Sequence, residues 1–399
     1  MKRLPLPLIS PWTLAMSLPD KLRYFPRPDL LQNILRLLLS GANVTLFAPR
    51  RHGKTQFVRN ELLPAVHEAG WFAARVDLWR NRDKPALGLV EGLEAIAYAT
   101  RAKQTMLSTQ LSLKSVRTKF KTPGVDIEGE WVPADSAPPM PESTLENRLA
   151  NAMHLIAGHG KHALLALDEF QALAAPGTEN FIATFRTVLQ DLEDRLSVIF
   201  TGSSREGLNR LFQRAKAPLF RSAESVALPN MGDEFVDSRA DYLVEIAGLQ
   251  VDRDALKLLY PRLRHTPQFL NEIVRGMLVS GNADVPSAFN NWLEGKQQGE
   301  YADLIADTRD VDFAVVLWLA TSGETSVYTA DARKGMAALM SSHDAPPAPS
   351  IQSAIRRLTQ AGVVDPLGVT GSYELADQGL QIILHELAES TLKRRKSGA

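Results

Sequence analysis

The chain has 399 residues, with 45 Lys and Arg against 45 Asp and Glu, so its formal charge at pH 7 is zero. That removes the simplest route to nucleic acid, a globally basic surface, and leaves room only for a local basic patch. Hydrophobic residues make up 45% and charged residues 23%, enough apolar surface to bury real cores and against wholesale disorder. There is no cysteine, which excludes a disulfide framework, a zinc–thiolate site, an iron–sulfur cluster and a cysteine nucleophile, and is compatible with a reducing compartment.

Lys2 and Arg3 precede an apolar stretch, but Pro5, Pro7 and Pro11 break it and no small-residue cleavage pattern follows. No uncharged apolar run reaches the ~18 residues of a membrane span, so a soluble cytoplasmic protein is expected. Residues 1–28 read as a Pro-rich arm, and 29–40 as a Leu-rich helix stopped by Gly41. Val44 to Phe47 is a short apolar strand running into a loop, with a helix from Lys54. A second strand is predicted over 71–78 and a helix over 85–101. The stretch 105–143 differs in texture. Leu111, Leu113, Val116 and Phe120 interleave with Lys114, Arg117, Lys119 and Lys121, and a Pro-rich run follows, which reads as an inserted basic hairpin and a linker. Beyond it come a helix over 144–157, a strand over 163–167, a helix over 180–193 and a strand over 197–201. Alternating strands and helices predict a parallel sheet covered on both faces. Residues 233–296 are helical throughout.

Two strand ends carry chemistry. Ala48-Pro49-Arg50-Arg51-His52-Gly53-Lys54-Thr55 matches G-x-x-x-x-G-K-[ST] except at its first position. In such a loop, backbone N–H groups and the positive end of the following helix cradle phosphate. Gly53 admits close approach, Lys54 reaches the β- and γ-phosphates, and Thr55 offers its hydroxyl to Mg²⁺. Ala163 to Leu167 is an apolar strand ending in Asp168-Glu169. Two carboxylates at a buried strand tip call for a cation: Asp168 for Mg²⁺, Glu169 for polarising an attacking water. The long separation from Lys54 is explained by the insertion. The strand over 197–201 continues into Gly202-Ser203-Ser204, with its tip expected between the other two. Ser203 or Thr201 is placed to meet the γ-phosphate or the water.

These residues resemble the archaeal-type ATPase family, among the AAA+ and STAND nucleotide switches and related to origin-recognition ATPases. The resemblance rests on Phe25-Pro26-Arg27-Pro28-Asp29-Leu30, the loop at 48–55, Leu167-Asp168-Glu169-Phe170-Gln171, Phe200-Thr201-Gly202-Ser203-Ser204, Ala217-Pro218-Leu219-Phe220-Arg221 and Thr266-Pro267. It implies that Phe25 to Arg27 lie near the adenine, with Ala48 to Gln56 around the phosphates. Ser203 would be the sensor-1 residue and Pro267 a lid contact to the nucleotide. Arg221 would lie where relatives place an arginine near the next subunit's γ-phosphate, although Arg205, Arg210, Arg214 and Arg221 also read as a solvated basic face. Two departures stand out: His265 replaces the glycine of the lid motif, and Gln268 stands where a sensor-2 arginine is expected. Weak lid coupling and slow hydrolysis follow.

Near the C-terminus, Val311, Val315, Val316 and Leu319 form one apolar stripe, and Ile351, Ile355 and Leu358 another. The second leaves Gln352, Ser353, Arg356, Arg357 and Gln360 outward. A hairpin is predicted from Val363-Val364 to Tyr373-Glu374-Leu375. Helix, helix, helix, hairpin is the order of a winged helix-turn-helix, whose third helix reads double-stranded DNA with Arg and Gln. Lys393-Arg394-Arg395-Lys396 would add phosphate contacts. Winged helices in nucleotide switches also pack against protein, and that reading stays open.

The expected architecture is α/β: a P-loop NTPase parallel sheet of AAA+-like type, then a helical lid and a winged helix-turn-helix domain. The boundaries are an arm at 1–28, the core at 29–231 with its insertion at about 105–143, the lid at 232–300 and the winged helix at 305–399. The expected function is an ATP-binding, Mg²⁺-dependent ATPase acting as a switch or motor with DNA. The alternative is a STAND-like signalling ATPase that forms a homo-oligomer or binds a protein partner.

Overall fold

The computed structural model describes residues 24–81, 83–108, 125–127, 144–340, 344–367, 369–386 and 388, the backbone alone at 101–108, 125–127 and 307. Lys114, Arg117, Lys119 and the basic run 393–396 lie outside the described residues. By its contacts the chain forms two compact units. One comprises 26–49 and 53–229; the other takes in the described residues 24–25, 50–52 and those from 230 onward.

The first unit is a six-stranded sheet between helices. Helix α1 (Pro28–Leu39) leads to β1 (Val44–Phe47). Helix α2 (Lys54–Phe57) passes through a π turn (Val58–Leu62) into α3 (Leu63–Glu68). Then follow β2 (Phe72–Asp77), α4 (Pro85–Ser108), β3 (Val125–Ile127), α5 (Leu145–Ala157), β4 (Ala163–Asp168), α6 (Glu179–Asp191), β5 (Leu196–Gly202), α7 (Arg205–Phe212) and β6 (Glu224–Ala227). The strand order is β3-β2-β4-β5-β1-β6, parallel except for β3, which runs antiparallel to β2.

Successive side chains of a strand point to opposite faces, and here both faces are apolar. Val76, Leu165, Leu167, Val198 and Phe200 join one buried cluster with residues of α4, α5, α6 and α7. Val44, Leu46, Leu164, Ala166 and Ile199 join another with α1, α2 and α3. A sheet covered on both faces is what parallel strands require. β5 lies between β1 and β4, as expected.

Three elements differ from the sequence reading. The helix predicted to end at 101 continues to Ser108. Val125–Ile127, inside the supposed insertion, closes one sheet edge. β6 at the other edge was not foreseen, because only Val226 of its four residues is buried.

The second unit is helical, with a small hairpin. It contains α8 (Asp233–Ala247), α9 (Arg253–Arg262), α10 (Pro267–Ser280), α11 (Val285–Gln298), α12 (Ala302–Asp307), α13 (Asp310–Thr321), α14 (Ala330–Leu339), α15 (Ala348–Gln360), β7 (Val364–Pro366), β8 (Tyr373–Leu375) and α16 (Gln378–Glu386). Asp252, Asp284 and Thr329 cap α9, α11 and α14 through their side-chain oxygens. α13 is buried almost all round, from Asp312 to Ala320, rather than along one stripe. β7 and β8 pair antiparallel, and Ser326 bridges Ser372 beside them. Three helices followed by this hairpin give the element order of a winged helix. Among the described residues no helix is long and apolar enough to cross a membrane.

Candidate nucleotide site

The loop after β1 turns at two left-handed residues, Arg51 (φ 69°) and Gly53 (φ 89°). Ala48 is not left-handed, so a glycine is not required at the motif's first position. At Gly53 the need is double. A left-handed conformation disfavours a side chain, and an added Cβ would lie 3.3 Å from Nη1 of Arg27. Arg27 is buried against the loop, its main-chain N–H donating to Glu61 (2.7 Å). Lys54 is buried at the first turn of α2, and its ammonium donates to the carbonyls of Ala48 (2.6 Å) and Pro49 (3.2 Å). Gln56 is exposed and accepts from Asn60.

Thr55 meets the acidic strand tip. Its hydroxyl donates to Oδ2 of Asp168 at 2.7 Å. The same oxygen accepts from Nη1 of Arg75 (2.8 Å), while Oδ1 accepts from the Thr201 hydroxyl and from the amide of Glu169 (3.1 Å). Asp168 is 3% exposed, so its charge relies on these donors rather than on water. Arg75 was not singled out from the sequence, although one signal was there. A cation amid Phe72-Ala73-Ala74-Arg75-Val76 on a core strand must find an anion. Asp77, in register with Asp168 on β2, also faces Arg75 at 3.4 Å. Burial first, then the charge of Asp168, raises the Asp77 carboxyl above the usual carboxylate range, against the pull of Arg75.

Glu169 leaves the strand in a left-handed conformation (φ 56°), the kind of local strain that collects at functional sites. Its carboxylate accepts from the Ser203 hydroxyl (2.7 Å) and from the Gln171 amide, which also donates to Ser203 (3.3 Å). Gln171 is wedged between two glycines: a Cβ on Gly202 would meet its Oε1 at 2.5 Å, and one on Gly207 its Cβ at 2.6 Å. The tips of β1, β4 and β5 thus bring Lys54, Thr55, Asp168, Glu169, Thr201 and Ser203 to the carboxyl end of the sheet.

Arg221 does not join them. It lies in a left-handed turn (φ 59°) ahead of β6, lining a cavity of about 280 Å³ with Asn43, Arg186 and Glu224. Because β1 and β6 run parallel in register, this is the opposite end of the sheet from Lys54. Any contact of Arg221 with a γ-phosphate must therefore be made on another copy.

The remaining predicted residues belong to the second unit. Arg50–His52 group with it: Arg51 donates to Tyr301 (3.1 Å) and Asp377 (3.2 Å) and pairs with Glu300, and His52 Nδ1 lies 3.0 Å from the Arg50 carbonyl. Phe25 packs edge-on against Phe235, ring centroids 5.6 Å apart. Pro267 is buried at the start of α10. His265, at the lid motif's glycine position, has φ 51°, which explains why glycine suits that place. Gln268 is exposed and bonds Glu272.

On α15, Gln352 and Arg356 face outward. Arg357, also read as outward, instead forks onto the buried Asp312 of α13, Nε donating to Oδ2 at 2.8 Å. The cause is electrostatic: a carboxylate buried in an apolar helix needs a cation.

No protein-family model matches the chain, and no curated protein matches it. Solved structures do. A Walker-type ATPase of Pyrococcus abyssi aligns with TM-score 0.57 at 19% identity, covering 90% of this chain and 96% of that one. The ORC2 protein of Aeropyrum pernix aligns in its ADPNP–ADP complexes (TM-score 0.50) and its ADP form (0.51). Each is 14% identical, and each alignment covers 94% of this chain and 98% of that protein. The chain therefore has the P-loop NTPase fold that the archaeal Walker-type ATPase and the ORC2 protein share.

Proposed function

We propose that the chain binds ATP with Mg²⁺ at the loop after β1 and hydrolyses it, as a nucleotide-driven switch associated with double-stranded DNA. The observation that carries this reading is the Thr55–Asp168 hydrogen bond. One hydroxyl and one carboxylate beside a phosphate loop are the donor set that suits Mg²⁺, which takes its other ligands from phosphates and water. The Aeropyrum relative, described with ADPNP and ADP, supports the choice of nucleotide.

The N–H groups of Gly53, Lys54 and Thr55 open the helix and offer the phosphates an anion site. Lys54 exchanges the Ala48 and Pro49 carbonyls for phosphate oxygens. Thr55 and Asp168 hold the metal, which neutralises phosphate charge when bound. Glu169 is the general base for water, oriented by Ser203 and Gln171. In an assembly, Arg221 serves the neighbouring copy's site.

The test is an ATPase assay on wild type, Lys54→Ala and Glu169→Gln, with and without duplex DNA. Turnover in wild type, lost in both variants and stimulated by DNA, is the expected result. Equal turnover in wild type and Lys54→Ala refutes the site.

A second reading has its own observation. Arg357 is tied to Asp312, which leaves α15 with a thin cationic face. In this reading the three helices and hairpin dock on protein and ATP drives oligomerisation. ATP-dependent assembly with no DNA effect distinguishes it.

A further inference from the structure

Arg75 stands out on β2, 6% exposed and flanked by the buried Ala74 and Val76. Its guanidinium touches two carboxylates at neighbouring strand tips, Asp168 (2.8 Å) and Asp77 (3.4 Å). Those two residues are cross-strand partners in the β2–β4 register, and like charges placed directly opposite each other repel. Neutral hydroxyls from Thr55 and Thr201 orient Asp168 but cannot cancel that repulsion. A cation between the carboxylates can, and an arginine bonded to a carboxylate makes a charge-assisted bond about twice as strong as a neutral one.

We propose that Arg75 is the positioning residue of the metal-binding pair. It holds Oδ2 of Asp168 beside the Thr55 hydroxyl against the push of Asp77, so that the two Mg²⁺ donors stand ready together. This rests on the nucleotide reading above and adds a specific claim: Arg75 sets how strongly nucleotide binding depends on Mg²⁺, without touching nucleotide. Outer groups of this kind typically change metal affinity by about 10–100-fold when removed.

The experiment titrates Mg²⁺ against binding of a fluorescent, non-hydrolysable ATP analogue by wild type, Arg75→Met, Arg75→Lys and Arg75→Met/Asp77→Asn, with the same titration in EDTA. Circular dichroism verifies folding. Arg75→Met is expected to raise the half-saturating Mg²⁺ at least about tenfold and to leave metal-free binding as in wild type. Arg75→Lys keeps the charge but not the two-carboxylate reach, and falls between the two. It also carries the test if the methionine variant does not fold. Asp77→Asn in the methionine background removes the repulsion and brings the Mg²⁺ requirement back toward wild type. A wild-type Mg²⁺ requirement in both single variants overturns the proposal while leaving the nucleotide site intact. Absence of analogue binding by wild type at every Mg²⁺ concentration overturns the nucleotide reading and this proposal together.

Discussion

Gly53→Ala and Gly177→Ala form a matched pair. Both glycines are left-handed, with φ of 89° and 87°, so alanine at either costs about 1–2 kcal/mol of backbone strain. Their surroundings differ. A Cβ at 177 meets nothing within 4 Å, whereas one at 53 lies 3.3 Å from Nη1 of the buried Arg27. Gly177→Ala should therefore lose about 1–2 kcal/mol of stability and no nucleotide affinity. Gly53→Ala should lose more, because strain and crowding add. It should also bind ADP at least about tenfold more weakly, a change of about 1.4 kcal/mol, since the residue's bare backbone lines the phosphate loop. Urea unfolding followed by circular dichroism reads the first quantity, and titration calorimetry with ADP the second. Wild-type ADP affinity in Gly53→Ala, or a smaller stability loss there than at 177, refutes the reasoning.

Phe200 lies at the centre of an aromatic cluster, with ring centroids 4.6 Å from Phe170 and 4.8 Å from Phe212; Phe200→Ala should cost about 3–5 kcal/mol in a denaturant melt of the first unit. His162 is held below the usual histidine range by burial, against a backbone hydrogen bond at Asp194, and burial lowers His159 likewise. The folded chain then resists a proton that the unfolded chain accepts, so stability should fall as pH drops below about 6.5; His162→Gln should flatten that decline in melts across pH. Arg356→Ala should weaken duplex binding and reduce its salt slope by about one. Arg357→Ala should instead lower the melting temperature, because it strands the buried Asp312; a pure DNA-binding loss without destabilisation would contradict the ion pair's role.

The core of the sheet was legible because a buried parallel strand leaves a plain trace: an uninterrupted apolar run such as Ala163–Leu167, then a change to charge at the tip. The phosphate loop was legible because its spacing is dictated by backbone geometry. β6 was not, because an edge strand with one buried residue has almost no hydrophobic signature. Arg75 and Asp77 were passed over because a single charge in a strand looks like a solvent-facing position until the neighbouring strand is known. Arg357 shows the converse. Its helical position points outward, yet the demand of Asp312, buried in another helix, overrides the helical wheel. Asp312 itself sits among apolar residues in Val311-Asp312-Phe313-Ala314-Val315, a misfit that hints at a partner without naming it.

The wedging of Gln171 has a mechanical consequence. Only the missing Cβ atoms of Gly202 and Gly207 leave space for this side chain, whose amide bonds both Glu169 and Ser203. One side chain thus bridges the ends of β4 and β5. In the proposed reaction, where Ser203 meets the terminal phosphate and Glu169 the attacking water, that bridge ties recognition to reaction.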